Sequence, residues 1–168
     1  VGIFRLAADK ELMGKIKVQM NTGGYEGEPI DRNIAATLIR VWFRELPTNV
    51  LNAVDKPLID HIAALDVMAG GADLAAQVFA DLKASCAEPR YSLLLWLLDI
   101  MAHVVRFHEV NKMTVKNMAI VVAPNLYSVA DIANPMAAMT WTQRIARFVE
   151  VVLQARVLLG QHSSGGGT

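Results

Sequence analysis

The segment from Leu93 to Phe107 constrains the fold more than any other stretch of the chain. It is almost continuously apolar, broken only by Asp99, His103 and Arg106. The run is too long for an ordinary strand, and too short and too polar to cross a bilayer. It must be a helix buried among other helices. The pattern predicts a helix over 90–108, apolar nearly all round and running through the centre, with Pro89 suited to its first turn.

Helical periodicity recurs on both sides. Leu12, Met13, Ile16 and Met20 return at spacings of three and four, predicting a helix over 8–20 that Asn21-Thr22-Gly23-Gly24 stops. Asp31 is placed to cap a second helix over 32–45, which Pro47 ends. Ile34, Ala35, Leu38, Val41 and Trp42 form its expected apolar face, and Asn33, Thr37, Arg40 and Arg44 a polar stripe. A shorter helix follows over 57–65. Met68-Ala69-Gly70-Gly71 reads as a turn, and 72–85 as a helix with Leu74, Val78, Phe79 and Leu82 inward. Thr114 caps a helix over 115–122 that Pro124 closes, 127–135 is irregular, and a last helix spans 136–159. There is no strand alternation, internal repeat or heptad series. The expectation is an all-α single domain over 1–160, about seven helices around the central apolar one, with 161–168 a flexible tail, natural or appended.

Composition limits what such a domain can do. Hydrophobic residues make up 54% of the 168, which excludes disorder for the bulk of the chain. Lys plus Arg equals Asp plus Glu at 16 each, so there is no bulk attraction to nucleic acid or anionic membrane, and a basic site must be a local cluster. The single cysteine, Cys86, excludes an internal disulfide and a cysteine-rich metal site.

Self-contained catalytic patterns are missing. The sequence has no Walker-type glycine loop and no Gly-x-Ser-x-Gly elbow. His61, His103, His108 and His162 do not pair at metal-ligand spacing. Polar groups on apolar frames remain. In Val1-Gly2-Ile3-Phe4-Arg5-Leu6, Arg5 is either a solvated loop cation or a presented one, with Ile3, Phe4 and Leu6 as anchors. Arg40 and Arg44 are a solvated face or a docking surface. Asn125 after Pro124 is a helix-ending residue that satisfies backbone groups, or a ligand-facing amide.

The order of three motifs discriminates between these readings. Gly2-Ile3-Phe4-Arg5, then Leu38-Ile39-Arg40-Val41-Trp42-Phe43-Arg44-Glu45-Leu46-Pro47, then Asn111-Lys112-Met113-Thr114 continuing to Val122-Ala123-Pro124-Asn125-Leu126, resemble the RhoGAP domain. That domain accelerates GTP hydrolysis by Rho-family small GTPases. The resemblance covers Gly2 to about Leu159, and Trp42-Phe43-Arg44-Glu45-Leu46-Pro47-Thr48 looks most like the plant-type subgroup acting on Rop GTPases.

The resemblance implies that Arg5 is an arginine finger inserted in trans. Arg40 falls where the family carries a lysine; Arg44, Asn125, Lys112 and Asn117 fall on motif positions expected to meet the partner. It implies a Rho, Rac or Rop-type GTPase as partner, no nucleic acid, no metal or cofactor of the chain's own (the partner carries GTP and Mg²⁺), and no self-contained enzyme. It further implies a monomer when free, without a transmembrane segment. The setting would be cytoplasmic, with any membrane recruitment left to regions outside this chain. The family's helix ahead of the finger loop has no counterpart in these residues. The rival expectation is a RhoGAP-like module that binds a GTPase without activating it; Arg5 favours activation.

Overall fold

The computed structural model describes residues 2–5 and 8–164. All regular structure among them is helical, which gives the all-α class. α1 (Lys10–Thr22) begins where the Asp9 carboxylate accepts the Leu12 amide at 2.9 Å. It ends on Gly23, whose φ of 73° is left-handed backbone that glycine adopts without penalty. α2 (Arg32–Arg44) starts on Asp31 as its spacing predicts, with the Asn33 amide bonded to the carboxylate at 2.8 Å. A 3₁₀ turn (Val50–Ala53) leads to α3 (Lys56–Ala63), α4 (Val67–Ser85), α5 (Arg90–Arg106), the one-turn α6 (His108–Asn111), α7 (Val115–Leu126) and α8 (Pro135–Ser164).

Five features differ from the sequence expectation, each for a local reason. The turn expected at 68–71 contracts to one residue. Asp66 caps a first helical turn through the Ala69 amide, and only Gly71, at φ 67° and ψ −157°, breaks α4. Pro124 does not close α7. The helix continues to Leu126, because the Asn125 side chain donates to the Val121 and Val122 carbonyls at 3.1 and 3.3 Å and holds the last turn. α8 runs through Ser164, so 161–164 are helical, and 165–168 of the expected tail lie outside the described residues.

The fourth difference concerns the centre. α5 buries Leu94, Leu97, Leu98 and Met101, yet Ser92, Trp96, Asp99, His103 and Arg106 form an exposed stripe at helical spacing. It is a wall of the core, and the axis is α8, which packs on α3, α4, α5 and α7. Val151, Val152 and Leu153 are three successive residues of α8, about 100° apart around the helix, and all are buried. α8 is therefore enclosed over most of its circumference at that level, with partly exposed Glu150 and Gln154 on the remaining side. No helix among the described residues is long and apolar enough to cross a membrane.

α2 is rotated relative to its expected face. Ile34, Ala36 and Phe43 are buried, while Trp42 is half exposed and meets the Phe43 ring edge-on at 5.1 Å. Ala36, Arg40 and Phe43 are four and three residues apart, so they share one side of the helix. The rotation thus carries Arg40 from the solvated stripe to the boundary of the core.

Candidate functional site

The Arg5 loop is built on a buried ring. Phe4 is 2% exposed, and Ile3 packs against the same core. Phe4 holds φ at 68°, a left-handed conformation that a bulky residue takes only when its surroundings enforce it. Gly2 is also left-handed, at φ 74°. The Arg5 amide donates to the Gly2 carbonyl at 2.9 Å and closes the turn. Arg5 itself is exposed, with no side-chain hydrogen bond or ion pair among the described residues. Leu6, the third expected anchor, lies outside the described residues.

The loop is tied to the corner between α5 and α7. The Gly2 amide donates to the Asn111 carbonyl at 2.7 Å. Lys112 follows in left-handed backbone, φ 60°, and its ammonium donates to the Glu109 carbonyl at 2.6 Å. The Asn117 side-chain amide donates to the Lys112 carbonyl at 3.2 Å, and its backbone amide donates to the Thr114 hydroxyl at the head of α7. Lys112 is exposed and Asn117 half buried. Both therefore shape the corner under the Arg5 loop.

Arg40, Arg44 and Asn125 are brought together. They line one cleft of about 250 Å³ with Thr37, Lys10 and Met13, where α1, α2 and α7 meet. Among the described residues no carboxylate lines it, whereas three cations do. Arg40 is half buried, and its Nε has no partner among the described residues. Its Nη2 reaches only the Thr37 hydroxyl at 3.5 Å, and that hydroxyl donates to the Asn33 carbonyl. Burial, and then the charge of Arg44, lower the Arg40 guanidinium below its ordinary value. Both causes disfavour the cation, and an incoming anion would offset them by favourable charge pairing.

Asn125 is buried, 7% exposed. Its side-chain nitrogen is held by two α7 carbonyls, which fixes the amide and leaves the side-chain oxygen without a donor among the described residues. The Asn49 side-chain amide joins the two walls. It lies 3.3 Å from the Phe43 carbonyl, 3.5 Å from that of Arg44 and 3.4 Å from that of Asn125. Asn49, Lys10 and the fixing role of Asn111 escaped the sequence reading. Periodicity reports faces of helices, and these residues act from loops and a helix end.

The rest of the molecule offers little chemistry. No group of acidic, histidine or cysteine residues among the described ones is arranged to hold a metal. Cys86 is buried, and burial pushes its thiol up, away from the reactive thiolate. A larger groove of about 520 Å³ follows an adjacent face of α2, but Leu38, Trp42, Phe43 and Trp96 make it apolar, with the Lys17–Glu45 ion pair among its lining residues.

Comparison with known proteins follows the same lines. The model of a family described as the RhoGAP domain matches residues 1–131. The Rho GTPase-activating protein gacA of Dictyostelium discoideum is 36% identical over 163 residues, 97% of this chain and 44% of that protein. Rho GTPase-activating protein 1 of Arabidopsis thaliana is 31% identical over 153 residues, 91% of this chain and 30% of that protein. The chain thus spans less than half the length of these relatives. Among solved structures, the BH domain from GRAF, the GTPase regulator associated with focal adhesion kinase, superimposes with a TM-score of 0.66 at 17% identity. The match covers 91% of this chain and 80% of that one, a likeness of fold.

Proposed function

This chain belongs to the RhoGAP domain family, and we propose that it accelerates GTP hydrolysis by a Rho, Rac or Rop-type small GTPase by inserting Arg5 in trans. The observation that carries this reading is the contrast within the Arg5 loop: an exposed guanidinium without a partner among the described residues, on a backbone anchored by the buried Phe4.

The chemistry asks for such a group. Phosphoryl transfer shifts negative charge on the γ-phosphate and the β–γ bridging oxygen. A guanidinium is always charged and donates in a planar fork that fits those oxygens. A finger supplied in trans is worth about 10³ to 10⁵ in rate, on the order of 4 to 7 kcal/mol of transition-state stabilisation. Its backbone must already be in place, because ordering a loop at the moment of reaction would offset that gain. The cationic cleft with Arg40, Arg44 and the free acceptor oxygen of Asn125 would dock the partner's acidic and amide groups. Such contacts act on encounter and affinity more than on the chemical step.

Single-turnover GTP hydrolysis by a panel of Rho, Rac and Rop-type GTPases, with and without this chain, tests the reading. Acceleration of at least one member, lost in Arg5→Ala, is the expected result. No acceleration of any member, with binding retained, would instead establish a binding module.

A further inference from the structure

The Arg5 loop is fixed to the body of the protein by hydrogen bonds that converge on one residue. The Arg5 amide bonds to Gly2, and the Gly2 amide bonds to the Asn111 carbonyl at 2.7 Å. The Asn111 side chain is itself clamped at both ends. Its nitrogen donates to the Val104 carbonyl in the last turn of α5 at 2.7 Å, and its oxygen accepts the Met113 amide at 2.8 Å. The backbone turn of α6, with the Lys112 amide on the His108 carbonyl at 2.8 Å, sets the Asn111 peptide roughly, and the side-chain clamp to α5 and to the approach to α7 holds it in place.

Only an amide side chain of this length meets both demands, because it donates and accepts at once. A carboxylate would keep the Met113 bond, but it would face the Val104 carbonyl at the negative end of α5 without a proton to offer. Serine would keep the short turn to Met113 and lose the reach to Val104. Alanine would lose both. Neither clamp touches the cleft of Arg40, Arg44 and Asn125, whose lining does not include Asn111.

We propose that Asn111 is the positioning residue of the Arg5 loop: it aims the Gly2 carbonyl and thereby the Arg5 backbone, so it governs the maximal stimulated rate and not the affinity for the partner. This rests on the reading of Arg5 as the inserted group. Misplacing such a group by an ångström costs on the order of 10- to 100-fold in rate.

The test uses the whole chain in five forms: wild type, Asn111→Ala, Asn111→Ser, Arg5→Ala, and Asn111→Ala combined with Arg5→Ala. Single-turnover hydrolysis at saturating chain gives the maximal rate. Titration against the GTPase loaded with a non-hydrolysable GTP analogue gives the affinity and reports whether each variant is folded. The expected result is a maximal rate lowered on the order of 10- to 100-fold in Asn111→Ala, an intermediate value in Asn111→Ser, and affinities close to wild type. In the Arg5→Ala background the alanine at 111 should add no further loss, since both changes act through one group.

A full maximal rate in Asn111→Ala would overturn the proposal, as would a loss that persists undiminished without Arg5, or one that appears in affinity alone. If Asn111→Ala does not fold, Asn111→Ser carries the same comparison. Amide exchange by NMR on the free chain gives an activity-independent readout: the Arg5 amide should exchange faster in the variants than in wild type, and equal rates would sink the idea. A wild-type chain that accelerates no GTPase would defeat the functional reading instead, leaving the exchange comparison to judge Asn111.

Discussion

The Arg5 loop and the cationic cleft are built in opposite ways. The loop hangs from one buried ring, two left-handed residues and a chain of hydrogen bonds ending on Asn111. The cleft is made from the flanks of three helices, cross-linked where the Asn49 amide reaches the Phe43, Arg44 and Asn125 carbonyls. Among the described residues, the loop presents one cation without a side-chain partner, and the cleft holds three cations with no acid among them. On the proposed reading, rate and affinity reside in separable structures. The first depends on the precision of a short segment, the second on charge held by rigid elements.

The largest expected effect breaks the loop side alone. Arg5→Ala should lower the maximal stimulated rate by about 10³-fold or more, measured in single-turnover hydrolysis, while binding of the GTP-analogue complex changes little. Arg5→Lys should restore only a small part, because an ammonium lacks the planar fork.

The next contrast lies in stability. Phe43→Ala, at a fully buried position in the wall of the core, should cost about 3–5 kcal/mol in denaturant unfolding. Phe4→Ala should cost less than half of that, because the short segment can detach while the helices persist. It should nevertheless lower the maximal rate. Equal destabilisation by the two would mean that the loop is an integral part of the core, and the separation drawn above would fail.

On the cleft side, Arg44→Ala should weaken association about 10-fold, roughly 1.4 kcal/mol, with the maximal rate kept within a factor of a few. An unchanged dissociation constant with a large fall in maximal rate would remove Arg44 from docking. Raising salt should slow association for wild type more than for Arg44→Ala, since screening weakens attraction between the cleft and an acidic partner. The smallest effect belongs to Arg40→Lys. Lysine keeps the charge and has no Nε to bury unpaired, so thermal unfolding should show neutral to slightly raised stability, by about 1 kcal/mol at most.

Much of this architecture was legible in the residues. Asp31 announces a helix start, Gly23 a helix end, and the stripe Thr37, Arg40, Arg44 does share one cleft wall. What periodicity could not report was which side of an apolar helix meets its neighbours. The run from Leu93 to Phe107 looked enclosed, yet its three polar interruptions, with Ser92 and Trp96, trace an open stripe. Trp42 and Phe43 are adjacent, and only packing decides that the phenylalanine goes inward. Pro124 illustrates a local rule overridden by a neighbour, since the Asn125 amide supplies bonds that keep α7 turning. Asn49 and Asn111 were silent because their work is done between elements far apart in sequence, and no spacing encodes it.

The continuation of α7 past Pro124 has a metrical consequence. Twelve residues of helix make a rod of about 18 Å. Its head abuts the corner that holds the Arg5 loop, and its far end carries Asn125 into the cleft. The rod sets both the distance and the angular phase between the Arg5 loop and the cationic cleft. A single inserted residue would turn one end by about 100° against the other. Two surfaces are thereby calibrated by one ruler, and any molecule that touched both would have to fit its length.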